Sequence, residues 1–129
     1  MKLNSRVVDK GWGREVIFAS NKFYCGKMLC FDKAGAKCSM HFHAMKMETW
    51  MVTNGKFAVW FVDTDTAELY KDELNVGDVW HNNANFPHQL EALEDDSVII
   101  EVSTADMIED NYRILPGDSQ TNEKASDNG

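Results

Sequence analysis

Residues 35–55 read GAKCSMHFHAMKMETWMVTNG, and the spacing of polar groups in this stretch decides how the rest of the chain is read. Two of the chain's four histidines, His41 and His43, stand one residue apart. Glu48 follows after four residues and Gly55 after six more. On a β-strand, residues i and i+2 share a face, so His41 and His43 look the same way. Two imidazoles about 7 Å apart on one strand face can share one ion. Residues 43–46 then make a turn, and Glu48 returns on the next strand. Asn54-Gly55 reads as a two-residue hairpin, because a type I′ turn needs φ > 0 at both positions.

On either side of this stretch the chain keeps the same grain. Arg14–Ser20, Lys22–Phe31, Cys38–His43, Glu48–Thr53, Lys56–Asp63, Glu68–Val76, Val79–His81, Pro87–Leu93 and Ser97–Ser103 read as strands, separated by turn residues. Met1–Gly11 reads as an arm or edge strand, and Ala105–Tyr112 as a helical turn or an ordered arm. About eight to ten short strands with little helix predict an all-β sandwich or barrel. Residues 1–116 form a single domain by this reading, and the polar stretch 117–129 is expected to be a disordered tail. Lys56–Asp63 is apolar on both faces, which suggests that its second face is also covered. With Met40 and Phe42 taken as outward, that predicts a homodimer.

Composition narrows the partners. A net charge of −8 and a pI near 4.8 argue against nucleic acid and anionic membrane. The opening Met1–Lys10 is polar and no apolar run is long enough to span a bilayer, so a cytoplasmic protein is expected. Three cysteines, Cys25, Cys30 and Cys38, lack zinc-ribbon spacing and read as reduced thiols. Cys25 and Cys30, an odd number apart, cannot both point inward from one regular strand.

The stretch 35–55 resembles the first cupin motif: Gly, five residues, His-x-His, three or four residues, Glu, six residues, Gly. Gly35, His41, His43, Glu48 and Gly55 meet it at every spacing. A second motif is matched in its short form by Gly77-Asp78 and Pro87-His88, without the glycine that often follows. The resemblance implies a jelly-roll barrel, the double-stranded β-helix, with His41, His43, Glu48 and His88 as metal ligands. Independently of any family, three imidazoles and a carboxylate suit one divalent transition metal: Mn, Fe, Co, Ni or Zn. His81, beside Trp80, is read as rim or structure rather than as a ligand.

Four further pieces, Trp12-Gly13-Arg14-Glu15, KFYCGKML, CSMHFHAMKMETW and EVSTADMIEDNYRI, resemble the sugar-handling cupins. These are the cupin domain of mannose-6-phosphate isomerases and the D-lyxose isomerases; Lys46, Glu48, Trp50, Asp110 and Arg113 sit at matching places. The first type usually carries Gln at the position of His41, and the second is longer. The resemblance implies a metal-dependent cupin that binds a sugar or sugar phosphate and interconverts aldose and ketose. Another metal enzyme, a dioxygenase or a lyase, and a non-catalytic sugar-binding module are the alternatives. Lys46, on the loop between ligand strands, and Glu101, a carboxylate inside the apolar run SVIIEVS, are the candidate bases. Lys27 and Arg113 are candidates for holding the substrate's polar or anionic ends, and Trp50 for walling the pocket. Glu91 is expected to face outward.

Overall fold

The computed structural model describes residues 1–121, and all but one of its elements are strands. In chain order they are β1 (Arg6–Lys10), β2 (Gly13–Ser20), β3 (Tyr24–Phe31), β4 (Met40–Phe42), β5 (Glu48–Asn54), β6 (Lys56–Asp63), β7 (Glu68–Asn75), β8 (Val79–Asn82), β9 (His88–Ala92), β10 (Ser97–Thr104) and β11 (Tyr112–Leu115). The one helix is the single turn α1, Asp118–Thr121. Two antiparallel sheets result, ordered β1-β2-β3-β10-β5-β8 and β11-β4-β9-β6-β7. This is the expected all-β jelly roll. No helix among the described residues is long and apolar enough to cross a membrane.

Strict alternation places the core. Along β5, Glu48, Trp50 and Val52 are buried while Thr49, Met51 and Thr53 are not; along β10, Ser97, Ile99 and Glu101 are buried. Inward side chains from both sheets meet in one cluster. Within it Trp12 stacks on Phe31 at 4.2 Å between ring centroids, and Phe31 meets the edge of Phe57 at 5.1 Å. Trp12 from the Gly11-Trp12-Gly13 turn is thus buried, as its size demands.

Several local expectations need correction. Asn54-Gly55 does not close a hairpin: β5 pairs with β10 and β8, whereas β6 pairs with β7 and β9. Of the pair, only Gly55 has positive φ (72°), so the link is a corner between sheets. A Cβ at Gly55 would run into Ser97 at the start of β10. Met40 does point away from His41, but it is only 2% exposed, not outward to solvent. The chain from β11 to α1 lies along this edge: β11 pairs with β4, and Gly117 packs on the Cys38–Ser39 backbone. Phe42 is half-buried and stacks on Tyr112.

The polar segment from Gly117 therefore begins in an ordered state. The carboxylate of Asp118 accepts a hydrogen bond from the Lys37 amide (2.9 Å), and buried Ser119 accepts one from the Gly11 amide (3.1 Å). The disorder expected of 122–129 falls outside the described residues. Ala105–Tyr112 has no helical turn; it is an ordered arm leading into β11, a strand that composition did not signal. Cys25 and Cys30 take opposite faces of β3, as their spacing requires, and both are buried because the outer face is covered at Cys30 as well.

Candidate metal centre

The ligand residues come from three strands. His41 lies in β4 and pairs directly with His88 in β9; His43 follows β4, and Glu48 opens β5 in the opposite sheet. One potential ligand atom from each of His41, His43, Glu48 and His88 lies within 4.8 Å of the others. The four residues are at most 9% exposed. His41 and His43, placed on one face by spacing alone, have ring centroids 5.0 Å apart, and His41 and His88 4.6 Å.

Hydrogen bonds fix the ring orientations. Nδ1 of His41 donates to the Ser39 carbonyl (2.9 Å), Nδ1 of His43 to the Asp110 carbonyl (2.6 Å), and Nδ1 of His88 to the Phe86 carbonyl (2.7 Å). A carbonyl oxygen only accepts, so each Nδ1 carries a proton, which leaves Nε2 as the atom free to bind a metal whenever the ring is neutral. Nε2 of His88 is buried without a hydrogen-bond partner, and it faces Oε1 of Glu48 at 2.7 Å. Nε2 and a carboxylate oxygen at that distance call for a positive charge between them, a need that a proton or a metal cation meets. The residues present therefore fit a divalent metal.

Protonation favours the same occupant. Burial, then the neighbouring His88 and His43, holds the His41 pKa well below the ordinary histidine value. Burial also lowers His43, against the pull of Glu48. For Glu48, burial acts to raise the pKa, but His88 and Lys46 outweigh it and keep the carboxylate ionised. Neutral imidazoles and an ionised carboxylate are the ligating forms.

A second, ionic layer lies beside the cluster. Glu101 (β10) is 4% exposed; its Oε1 accepts from Nε1 of Trp50 at 3.0 Å, and it interacts with Glu48. Burial, then the Glu48 charge, pushes its pKa up to about 7. Lys46 reaches in from the 43–47 loop: its Nζ stands 3.2 Å from Asp106, 3.5 Å from Glu101 and 3.7 Å from Glu48. Burial would lower its pKa, but these carboxylates raise it above the ordinary lysine value. Lys27 (β3), paired in register with Glu101, stands 2.9 Å from Asp106 and 3.6 Å from Glu15.

The sequence-derived site thus assembles with one exception. Lys27, Lys46, Trp50 and Glu101 line one pocket with His41, His43 and Glu48, and buried His88 adjoins His41 and the Trp50 ring. Arg113 is exposed on β11, where it pairs in register with His41, and it is not among the residues that line the pocket. His81 is likewise exposed, bonded to Thr49 and Asn83. Glu91 is half-buried and accepts from Nε1 of Trp60 (3.0 Å).

Three acidic residues gain roles that the sequence had not assigned, although Glu15 and Asp110 stood in the pieces that carry the family resemblance. Asp106 bridges the two lysines, Glu15 pairs with Lys27, and Asp110 organises the ligand loop. The Asp110 carboxylate accepts from the amides of Ala44 (2.7 Å), Met45 (3.1 Å) and Lys46 (3.1 Å) while its carbonyl orients His43. The sequence signal for Asp110 was its matching place in the closing EDNYR stretch of the family resemblance, which gave it no role.

A jelly roll closed on three histidines and one glutamate defines a metal-binding double-stranded β-helix protein. The chain belongs to the cupin family, whose model matches residues 26–113. A search of curated proteins finds no match. Among solved structures it is similar to the capsular polysaccharide assembling protein CapF of Staphylococcus aureus (TM-score 0.74, 17% identity, 88% of this chain and 33% of that one). It is similar to a Lactobacillus farciminis oxalate decarboxylase in a formate complex (0.72, 20%, 85% and 34%). It is also similar to KdgF from Halomonas sp. (0.67, 23%, 83% and 92%). The chain spans about a third of the first two and nearly the whole of the third. At these identities the likeness is one of fold.

Proposed function

We propose that this cupin is a metal-dependent enzyme acting on a sugar or sugar phosphate, and that it moves a proton between neighbouring carbons in an aldose–ketose isomerisation. The observation that carries this reading is Glu101: a buried carboxyl beside the ligand cluster, with its pKa raised to about 7 and its orientation fixed by Trp50. A general base works best when its pKa lies near the working pH. Lys46, the other candidate, has its pKa raised and stays an ammonium, so it serves as a fixed positive charge. His41, His43, Glu48 and His88 would hold the metal, which when bound supplies Lewis-acid polarisation of a substrate oxygen. Trp50 keeps water from one side of Glu101, and Glu101 takes the proton from one carbon and returns it to the next.

The test is solvent-deuterium incorporation into aldoses and ketoses, free and phosphorylated, by metal-loaded protein. Exchange with interconversion is expected, and Glu101→Gln should lower it about 10²–10⁴-fold with metal retained. Absence of exchange with every sugar would sink the reading. Oxygen consumption by iron-loaded protein would transfer the site to a dioxygenase.

We further propose a homodimer through a different surface from the one first expected, since Met40 is buried. Across the outer face of the six-stranded sheet, Val79, Met51, Ile100, Met28, Val16 and Val7 pair in succession, one from each strand. Val7, Met51 and Val79 in this row are 57%, 43% and 61% exposed. A monomer's mass in light scattering would remove the dimer.

A further inference from the structure

Asp106 reaches the pocket in an unusual way. Its carboxylate is forked between two ammonium groups, Oδ2 on Lys27 at 2.9 Å and Oδ1 on Lys46 at 3.2 Å. Both lysines are fixed inside the barrel, at 7% and 6% exposure, and both line the pocket with the metal ligands. Asp106 is not fixed in the same way. Its side chain is 35% exposed, and it belongs to the irregular arm between β10 and β11. Its neighbours Met107 and Ile108 also line the pocket, yet are 41% and 74% exposed, leaving an apolar shoulder at the mouth. A peripheral arm thus dips one carboxylate into a receptor that the rigid strands provide.

We propose that the Lys27–Lys46 pair is a carboxylate subsite of the substrate pocket, occupied in this structure by Asp106, and that a substrate carboxylate displaces the Asp106 side chain to bind there. Charge supports the exchange. Without Asp106, the two lysines and a divalent ion face Glu15, Glu48 and Glu101 among the pocket's acids, leaving an excess of positive charge that one carboxylate balances. Geometry supports it too, because each oxygen of a planar carboxylate meets one ammonium, and Asp106 itself demonstrates the fit. Removing Asp106 should vacate the receptor, whereas a merely structural aspartate would take the pocket's order with it. The inference deepens the proposed function and rests on it for the sugar part only: the substrate would be a sugar acid rather than a neutral sugar.

The experiment uses metal-loaded full-length protein and four probes, acetate, inorganic phosphate, D-galacturonate and D-galactose, with binding followed by calorimetry. Asp106→Asn is expected to bind acetate about tenfold more tightly than wild type, and adding Lys27→Met is expected to abolish the gain while metal content is unchanged. Lys27→Met alone separates acetate on the lysines from acetate on the metal. Acetate affinity that is unchanged or weakened by Asp106→Asn, in a variant whose circular dichroism matches wild type, overturns the subsite. Asp106→Ala repeats the test should the asparagine variant not fold. Phosphate gaining more than acetate overturns the carboxylate assignment in favour of a phosphate ester. If acetate behaves as expected but neither sugar binds, the sugar reading fails and the subsite stands.

Discussion

The two ends of the barrel interior are lined by different chemistry, although the same strands build both. On β10, β3 and β5, Ile99 pairs with Leu29 and Val52; two residues further along, Glu101 pairs with Lys27 and Trp50. On β9, Ala92 and Leu90 give way to His88. A step of about 6.6 Å along each strand therefore exchanges hydrocarbon for charge. At the apolar end Phe31, Phe57, Val59 and Ile99 exclude water and supply stability. At the ionic end the buried carboxylates and lysines, each costly alone, neutralise one another around the ligand cluster. The difference teaches that register, which lines up like with like across sheets, converts a sequence alternation into a polarised interior.

The comparison can be broken at either end. The largest effect is expected from Phe57→Ala at the apolar end. Phe57 is fully buried, and its loss should cost about 3–5 kcal/mol in urea denaturation while metal affinity stays within a few-fold. Equal losses of stability and metal affinity would mean the two ends are not separable. Next, Asp110→Ala should leave the apolar end intact and lower metal affinity roughly 10–100-fold, because the 43–46 loop and the His43 ring lose their orientation. Competition with a chelating dye measures it; unchanged affinity would show that His43 is held some other way.

A pH titration sharpens the contrast. Glu101 has its folded pKa raised from 4.5 to about 7, so the folded state holds a proton that the unfolded state has released. Its contribution is full below pH 4.5 and is lost as pH rises through 7. His41 and His43, with lowered pKa values, act oppositely: their contribution is lost as pH falls below 6.5. In metal-free protein, Glu101→Gln should remove the loss between pH 4.5 and 7 and leave the histidine slope. An identical pH profile for variant and wild type would refute the assignment of that proton. The smallest effect is expected from His81→Ala. His81 is exposed and outside the ligand set, so stability should change by no more than about 0.5 kcal/mol and metal affinity not at all. Weaker metal binding would add a ligand that the geometry does not contain.

Much of the ionic end was legible because its chemistry is local in sequence. His41, His43 and Glu48 are fixed by strand period and one turn, and Glu101 stood out as a charge inside an apolar strand. What failed was information that only long-range pairing supplies. Asn54-Gly55 has hairpin chemistry, but its residues cannot reveal that the strands it joins bond to other partners in separate sheets. Asp106 and Glu15 look like solvated acids until β10, β3 and the arm bring Lys27 and Lys46 to meet them. For Arg113 a motif position was legible, but its place on the exposed strand β11, in register with His41 and apart from the pocket lining, was not.

The corner at Asn54-Gly55 also bears on how the molecule comes into being. Because consecutive strands part company there, β5 waits for β10, and Leu29 waits for Ile99, seventy residues later in the chain. Such distant closures make folding slow, on the order of milliseconds to seconds. His88 joins His41 only once β9 has docked, so the ligand set arises late. The metal would then be a reward for completing the barrel rather than a template for starting it. Refolding rates should be indifferent to added metal while unfolding slows; faster refolding in its presence would reverse that order of events.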